Sequence, residues 1–308
     1  MKVAFDSRPA QDPRGIGRYA SCLREALRAT AAAGDEIVEA HRPRRVDVFH
    51  SPWIDGALLR PPVAQVVTLH DVVPLKRRSE YLRTGIRFRM RYLAVERSAR
   101  VIVPTAVVAA EVCEHVGIDA AKIVVIHEAP APALYERGPD EVAAVRELYG
   151  LPPEYLLWVG GLQTPDPRKR IAALARTPRA LPLVLVGATR PWAHELPDVT
   201  LTGHVSDDEL AAIYSGARAL VFPSDDEGFG LPPVEALACG TPVVTSDIPV
   251  LREVLGDRAT FVDVADLEGL LAAGAAATRP APAAPAWSWN DAAAATWRVY
   301  EEAAGGGR

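Results

Sequence analysis

Short apolar runs separated by longer amphipathic stretches recur along the whole chain. Many of these runs, such as Leu183–Val186 and Ala219–Phe222, are continuously apolar and do not alternate with polar residues. Such runs are typical of strands that are buried on both faces of a parallel sheet. The runs that we interpret as strands are Val3–Asp6, Val46–His50, Gln65–Leu69, Val101–Pro104, Ile123–Ile126, Tyr155–Gly160, Leu183–Val186, Val199–Thr202, Ala219–Phe222, Pro242–Thr245 and Thr260–Val262.

The stretches between these runs carry apolar residues at helical spacing. Those that we interpret as helices are Ile16–Ala33, Tyr81–Ala99, Ala106–Val116, Asp207–Ser215, Pro232–Ala238 and a last amphipathic helix that carries Trp289, Trp297 and Tyr300. Regular alternation of strands and helices over the whole length predicts an α/β fold with doubly wound sheets.

The alternation breaks around Pro130–Pro153, where prolines and charged residues replace the rhythm of strands and helices. We interpret this segment as a linker between two Rossmann-like domains, residues 1–135 and 136–290. A second unusual segment, residues 277–287, is rich in Ala and Pro and predicts an extended connector. It leads into the C-terminal helix, residues 291–308.

Charge is distributed unevenly behind the net value of -5. Residues 1–100 contain 19 Lys and Arg against 11 Asp and Glu, whereas the remainder contains 15 against 28. A basic first part indicates either an anionic partner or a solvated arginine-rich helix, and the sequence leaves both open. Aromatic residues do not interleave with the basic ones, so nucleic acid is not expected as a partner.

Cysteine content and hydropathy predict the compartment. Cys22, Cys113 and Cys239 lack the spacing of metal ligands and are interpreted as small buried apolar residues in a reducing environment. The chain shows neither a cationic and apolar leader nor an apolar run long enough to span a bilayer. We therefore expect a cytoplasmic protein.

The segment SDDEGFGLPPVEALACGTPVV, residues 224–244, combines features of an anion site with two glutamates. A helix predicted to begin near Leu231 follows a glycine-containing loop, and such a helix start suits a phosphate. In open α/β sheets, ligands bind beyond the carboxyl ends of strands, where this loop lies. Glu227 on the loop can contact a polyol, and Glu235, expected in the first helical turn, can reach a diol such as a ribose. Alternatively, the two glutamates are a surface acid and a first-turn acid that complements the helix dipole.

The pattern E-GFGLPPVE-A-A-GTPVV resembles the donor site of the retaining glycosyltransferases of family 4. The resemblance implies the GT-B fold, in which two Rossmann-like domains face a central cleft and a C-terminal helix packs back on the first domain. It also implies that Glu227 contacts hydroxyls of the donor sugar and that Glu235 binds the ribose. Backbone N–H groups that hold phosphate and sugar would come from Gly228, Phe229, Gly230 and Leu231.

A second motif, WVGGLQTPDPRKRI, follows a predicted strand. The family places an Arg and a Lys here to neutralise the donor diphosphate, and Arg168 and Lys169 match them. Two cations near a strand end stabilise the charge that grows as a glycosidic bond breaks. Leu162 stands where many members carry an arginine, which removes one phosphate ligand. Alternatively, the cations are a solvated cluster at a helix start.

The resemblance also includes two residues of the first domain, which lie just beyond another predicted strand. In VVTLHDVVP, His70 and Asp71 match a His-Asp pair of the family. The resemblance implies that His70 hydrogen-bonds the donor sugar, and Asp71 is predicted to orient it. Otherwise, a single histidine is more often structural.

The segment RGIGRYA, residues 14–20, fits the dinucleotide fingerprint G-x-G-x-x-A by its letters. Eight residues separate the end of the first strand from Gly15, whereas the fingerprint turns tightly from strand to helix. The resemblance instead implies that Gly15 and Gly17 border the donor pyrophosphate, with Arg18 and Tyr19 as neighbours. An ordinary helix N-terminus remains the alternative.

Two further segments receive roles from the resemblance. His204 and Val205 lie at a turn that resembles the wall of the nucleobase site. The arginine-rich helix over residues 80–100 has Ile86, Met90, Leu93 and Val95 on its apolar face and arginines elsewhere. Some relatives dock this region on anionic membranes, so the alternatives are peripheral membrane contact and a solvated helix.

These observations predict a retaining glycosyltransferase that moves a sugar from a nucleotide diphosphate to a hydroxyl of a glycan, a lipid-linked sugar or a small molecule. GDP-mannose is favoured as donor, with UDP- and dTDP-sugars as alternatives. No D-x-D triplet follows a strand, so neither a metal nor another cofactor is expected. The alternative functions are a sugar-nucleotide epimerase of the same fold, which would need further catalytic acids, and a catalytically silent nucleotide-sugar-binding protein.

Overall fold

The computed structural model describes residues 1–12, 15–77 and 86–305 of the chain. The chain divides into two compact units. One comprises Met1–Ala129 with Trp287–Arg308, and the other comprises Pro130–Ala286. Each unit is built on one six-stranded sheet in which all pairs of strands are parallel. The predicted α/β class is thereby confirmed.

The elements alternate along the chain. The strands are β1 Lys2–Phe5, β2 Glu36–Glu39, β3 Val48–Ser51, β4 Ala64–Thr68, β5 Arg100–Val103, β6 Ile123–Val125, β7 Leu156–Val159, β8 Leu183–Val186, β9 Val199–Gly203, β10 Ala219–Phe222, β11 Val243–Ser246 and β12 Thr260–Val262. The helices are α1 Gly15–Ala29, α2 Val73–Lys76, α3 Ile86–Glu96, α4 Ala106–Val116, α5 Pro139–Tyr149, α6 Ile171–Arg176, α7 Asp207–Gly216, α8 Leu231–Ala238, α9 Pro249–Leu255, α10 Leu267–Ala276 and α11 Trp289–Gly305.

In the first unit the sheet has the order β2-β1-β3-β4-β5-β6. One core lies where α1 and α11 pack, because Leu23 and Leu27 of α1 and Trp297 and Tyr300 of α11 are buried in the same cluster. The indole Nε1 of Trp297 donates a hydrogen bond to the carbonyl oxygen of Leu27 at 3.3 Å. The C-terminal helix therefore belongs to the first unit, as predicted.

In the second unit the order is β12-β11-β10-β7-β8-β9, the strand order of a dinucleotide-binding fold. The chain winds outward from β7 to β9, returns to the centre and winds the other way from β10 to β12. The order reverses between β7 and β10, so a crevice opens beyond their carboxyl ends. The segments that follow these two strands contain Arg168, Lys169 and Glu227.

Two of the differences between the predicted and the observed elements have a local explanation. The segment predicted as a linker contains the helix α5, which has Pro139 in its first turn and ends on Gly150 in the left-handed conformation. Proline and glycine there mark a helix start and a helix end, not a linker. The strand β2 was not predicted because Glu36 and Glu39 enclose only two apolar residues at the edge of the sheet. Residues 277–288 carry neither helix nor strand, in agreement with the predicted connector.

The arginine-rich segment is described only in part, since residues 80–85 lie outside the described ranges. Within α3, Tyr92 and Val95 pack in a core with β4 and β5, whereas Met90 is 42% exposed. Met90 was predicted on the apolar face, and the structure corrects this, because Tyr92 supplies the core contact instead. Arg91 Nη1 forms an ion pair with Asp55 Oδ1 at 2.9 Å.

Burial of the cysteines and the hydropathy of the helices can be compared with the predictions. Cys239 is buried, but Cys22 and Cys113 are only partly buried, which corrects their prediction as core residues. Over the described ranges, no helix is both long enough and apolar enough to cross a bilayer.

Candidate active site

Lys169 and Glu227 form an ion pair at the reversal point of the second sheet. Lys169 ends a short 3-10 turn, Pro167–Lys169, in the segment that follows β7, and Glu227 lies in the segment that follows β10. Lys169 Nζ lies 2.8 Å from Glu227 Oε1, and the side chains are 19% and 8% exposed. The ammonium also lies 5.5 Å from the centroid of the Phe222 ring. Two segments distant in sequence thus bring a cation and a carboxylate to one sheet edge.

Arg168 contributes to the same edge through its backbone and its side chain. Its carbonyl oxygen accepts a hydrogen bond from Asp225 N at 3.0 Å, which ties the two segments together. Its Nε donates to Asp166 Oδ2 at 2.9 Å, while Asp166 Oδ1 also accepts from Arg168 N. Asp166 therefore fixes the guanidinium and neutralises part of its charge.

The glycine-containing loop leads directly into α8. Gly230 is the residue before the helix and has φ +89° and ψ 61°, in the left-handed region that favours glycine. A Cβ atom on Gly230 would lie 2.7 Å from Leu251 Cδ2, so the Leu251 side chain would have to shift to accept it. Phe229 and Leu231 are buried beside it. Pro232 and Pro233 carry no N–H, so among the first three residues of α8 only Leu231 offers a backbone donor without a partner within the helix.

Glu235 lies in the second turn of α8, which corrects its prediction in the first turn. The helix begins at Leu231, so Glu235 is its fifth residue, and the first turn contains no acid. The dipole effect fades beyond the first turn, so it does not account for a carboxylate that is only 2% exposed. Tyr214 of α7 donates its hydroxyl hydrogen to Glu235 Oε2 at 3.1 Å. Burial and the charge of Glu235 raise the pKa of the nearby Cys239 thiol to about 12.

Three other positions named in the sequence analysis follow strands of the second sheet. His204, exposed, and Val205, buried, follow β9, the edge strand, which β8 and β7 separate from β10. Ser206 caps α7 through a capping box with Glu209. Leu162 is fully buried and its N–H donates to the Ala188 carbonyl at 3.0 Å, so this position is part of the core.

His70 lies beyond the carboxyl end of β4 in the first unit, and Glu128 and Pro52 hold both of its ring nitrogens. Nδ1 lies 3.1 Å from Glu128 Oε1, and Nε2 lies 3.0 Å from the Pro52 carbonyl oxygen. Asp71 was predicted to orient His70, and the structure corrects this. Asp71 Oδ1 accepts from Val73 N at 3.2 Å at the start of α2, because a carboxylate two residues before a helix turn readily caps it.

Gly15 and Gly17 open the helix α1. Gly15 is exposed and is the first helical residue, and Gly17 is buried. A Cβ atom on Gly17 would lie 1.8 Å from the Asp12 carbonyl oxygen, so the preceding loop packs against its backbone. Close packing accounts for glycine at 17, and a role of either residue toward a donor remains a prediction.

The sequence analysis did not predict a buried row of hydrogen-bonded polar side chains that runs from Tyr19 to α11. Tyr19 OH lies 2.9 Å from Thr68 Oγ1, which lies 2.9 Å from His50 Nε2. His50 Nδ1 lies 2.6 Å from the hydroxyl of Tyr300 in α11. Burial and the nearby charge of His70 lower the pKa of His50 to about 3, so this imidazole is neutral. The signal that was available is that His50, Thr68, His70 and Glu128 all lie at or just beyond strand ends.

In the described part of the chain, no group of three or more His, Cys, Asp or Glu side chains is arranged to hold a metal ion.

Sequence models of two related families match this chain. The model described as Glycosyltransferase Family 4 matches residues 3–129, and the model described as Glycosyl transferases group 1 matches residues 153–277. Each match covers one of the two sheets, and together they include every residue that the sequence analysis predicted for the site.

Individual proteins are similar to the chain. A D-inositol 3-phosphate glycosyltransferase of Streptomyces bingchenggensis is 30% identical over 349 residues, covering 95% of this chain and 75% of the relative. The serotype-specific mannosyltransferase WbdA of Escherichia coli is 30% identical over 220 residues, but that similarity covers 63% of this chain and only 27% of WbdA. The structure of sucrose-phosphate synthase from Thermosynechococcus elongatus superposes with a TM-score of 0.74 at 20% identity, covering 98% of each chain, and shares the fold.

Proposed function

The chain belongs to glycosyltransferase family 4, and we propose that it transfers a sugar from a nucleotide diphosphate donor to an acceptor hydroxyl. The observation that carries this proposal is the Lys169–Glu227 pair at the point where the strand order of the second sheet reverses. In open α/β sheets, nucleotide ligands occupy this crevice. The second unit would therefore bind the donor.

Charge and hydrogen-bond donors at this edge suit a diphosphate. Lys169 and Arg168 bring two cations, and the N–H group of Leu231 at the start of α8 adds a backbone donor. Glu227 would contact hydroxyls of the sugar and Glu235 the ribose, as the family resemblance implies. Tyr214 holds the buried Glu235 carboxylate in one position before the donor arrives.

The reaction that we propose retains the configuration at the anomeric carbon. The bond from that carbon to the leaving phosphate oxygen breaks, and a bond to the acceptor oxygen forms on the same face. The acceptor proton passes to the leaving phosphate, which therefore serves as the base. Lys169 and the start of α8 would stabilise the negative charge on the diphosphate without a metal ion.

For the sugar donor and for the acceptor we propose chemical classes. GDP-mannose is favoured, and the mannosyltransferase relative supports mannose, while UDP- and dTDP-sugars stay as alternatives. The acceptor would be a glycan, a lipid-linked sugar or a small molecule such as a polyol phosphate, a class that the name of the Streptomyces relative supports.

We also propose a cytoplasmic location with peripheral attachment to an anionic membrane through the basic segment 80–100. Each basic residue near the membrane surface would contribute about 1 kcal/mol to this attachment.

Product analysis tests the proposal. The full chain is incubated with GDP-mannose, UDP-glucose or dTDP-glucose and with a mannose-terminated oligosaccharide or inositol phosphate as acceptor. We expect release of the nucleoside diphosphate and an α-linked product by NMR, because an α-linked donor would react with retention. The variant Glu227→Gln should release at least about 10-fold less nucleotide, since one charged hydrogen bond to the sugar is lost.

The alternatives give different outcomes in the same assay. A changed sugar nucleotide without release of nucleoside diphosphate would contradict transfer and indicate an epimerase. Donor binding with neither transfer nor hydrolysis would indicate a silent binding protein. An inverted product would overturn retention while leaving transfer in place.

A further inference from the structure

The environment of His70 fixes its protonation through the chemistry of its two partners. A backbone carbonyl such as that of Pro52 can only accept a hydrogen bond, so the contact at 3.0 Å requires a proton on Nε2. An ionised carboxylate can also only accept, so the contact with Glu128 at 3.1 Å requires a proton on Nδ1. A ring that donates from both nitrogens is an imidazolium.

We propose that His70 acts as a stable imidazolium and that Glu128 is the positioning residue that keeps it charged and oriented. Glu128 is 4% exposed and His70 has 17% of its side chain exposed, so water competes little with their contact. The pair carries no net charge, which makes its burial tolerable. This inference rests on the proposed function only for the role of His70 in the reaction.

The other groups that face His70 agree with this state. The ring of Tyr19, from α1, meets the imidazole edge-on with centroids 4.6 Å apart. Asp71, the next residue, adds a negative charge, and the buried His50 is neutral, so it does not repel the cation. Burial by itself lowers the pKa of His70, but Glu128, the Pro52 carbonyl and Asp71 outweigh it, and the pKa is raised.

The consequence concerns what His70 can do in catalysis. An imidazolium has no lone pair with which to remove a proton, so His70 cannot be the general base for the acceptor hydroxyl. His70 can donate a hydrogen bond to an oxygen atom of the sugar donor or place positive charge against that atom. Its Nε2–H would then exchange the Pro52 carbonyl for a ligand oxygen, and Nδ1 would keep its bond to Glu128. Glu128 would act on the reaction only through His70.

The protonation of His70 is measured directly on the free protein by NMR of histidine labelled with 15N. In the wild type we expect both nitrogens of His70 to be protonated at about pH 6.5, with a titration midpoint above that value, the ordinary midpoint of histidine. Glu128→Gln keeps the shape and removes the charge, so its midpoint should lie below that of the wild type. The matched control is Glu111→Gln, which removes a carboxylate paired with Lys76 in the same unit and should leave His70 unchanged.

Two spectra would overturn the assignment. One is a wild-type His70 with a single proton and a midpoint at or below about 6.5. The other is a neutral ring whose Nδ1 accepts a hydrogen bond from a protonated Glu128. Both spectra are recorded without a sugar donor or an acceptor substrate, so they do not depend on whether the proposed transfer takes place.

The pH dependence of turnover provides the catalytic readout. Glu128→Gln should lower kcat at about pH 7.5 by about 10-fold, the factor for one lost charge-assisted hydrogen bond, and should move the loss of activity at high pH to lower pH. Recovery of kcat as the pH of the variant is lowered would support a charged His70. An unshifted profile in Glu128→Gln, or activity of the wild type that falls as His70 becomes protonated, would contradict the proposal.

Discussion

At the scale of single residues, the buried His50 and the partly buried His70, at neighbouring strand ends, differ in protonation state. His50 is bonded to the hydroxyls of Thr68 and Tyr300, which can donate or accept, and burial therefore keeps it neutral. His70 faces a carboxylate and a carbonyl, which only accept. The type of partner, and not burial alone, decides the charge.

The low pKa of His50 predicts how stability depends on pH. The folded pKa is about 3 and the unfolded value is near the ordinary 6.5, so between them only the unfolded chain binds this proton. Stability should therefore fall as the pH falls below about 6.5. Between these two pKa values, His70 is charged in both the folded and the unfolded chain, so it does not add to the pH dependence of stability. Its stabilising effect is lost only as the pH rises through its raised folded pKa.

Scanning calorimetry of two variants checks this dependence. His50→Gln should unfold at lower temperature at about pH 7, because buried hydrogen bonds worth about 1 kcal/mol each are lost. Its unfolding temperature should also fall less between about pH 6.5 and pH 5 than that of the wild type. His41→Gln, a change at an exposed histidine, is the control and should retain the wild-type slope. Equal slopes in His50→Gln and wild type would contradict a neutral buried His50.

At the scale of elements, the start of α8 depends on one glycine. Gly230→Ala should destabilise the protein by about 1–3 kcal/mol, because alanine is strained at positive φ. The new Cβ also meets Leu251. The control is Gly150→Ala at the end of α5, where φ is +60° and no atom lies within 4 Å of the added Cβ. Urea unfolding should show a larger loss at 230 than at 150, and equal losses would show that the contact with Leu251 does not matter.

The sequence predicted elements well wherever apolar runs were continuous. Strands β8 and β10 were predicted with the bounds that the structure has, because each is buried over its whole length. The helix α5 was missed because none of its residues is fully buried, so its apolar face is weak. Its signals were local, since Pro139 lies at its start and Gly150 at its end. Elements on the surface are thus better predicted from caps than from periodicity.

At the scale of the whole molecule, the candidate site depends on strand order, which a linear pattern does not contain. Lys169 and Glu227 are 58 residues apart and meet because β7 and β10 are neighbours in the sheet. Glu227 was predicted from its place on the glycine-containing loop and Lys169 from the family resemblance, but neither pattern indicated that the two form a pair. Glu128 was missed because no motif joins it to His70, which is equally distant in sequence. The replacement of Asp71 by Glu128 as the partner of His70 could be seen only in the folded chain.

The central claim is that Lys169, which pairs with Glu227, holds the diphosphate of a sugar donor. Calorimetry with GDP, UDP and dTDP, each compared with its nucleoside monophosphate, tests this claim without knowledge of the acceptor. Wild-type protein should bind one diphosphate at least about 10-fold more tightly than the monophosphate, as expected for one charged hydrogen bond. Lys169→Ala should abolish this preference, whereas Arg176→Ala, at the far end of α6, should keep it. A Lys169→Ala variant that prefers the diphosphate as strongly as the wild type would contradict the account.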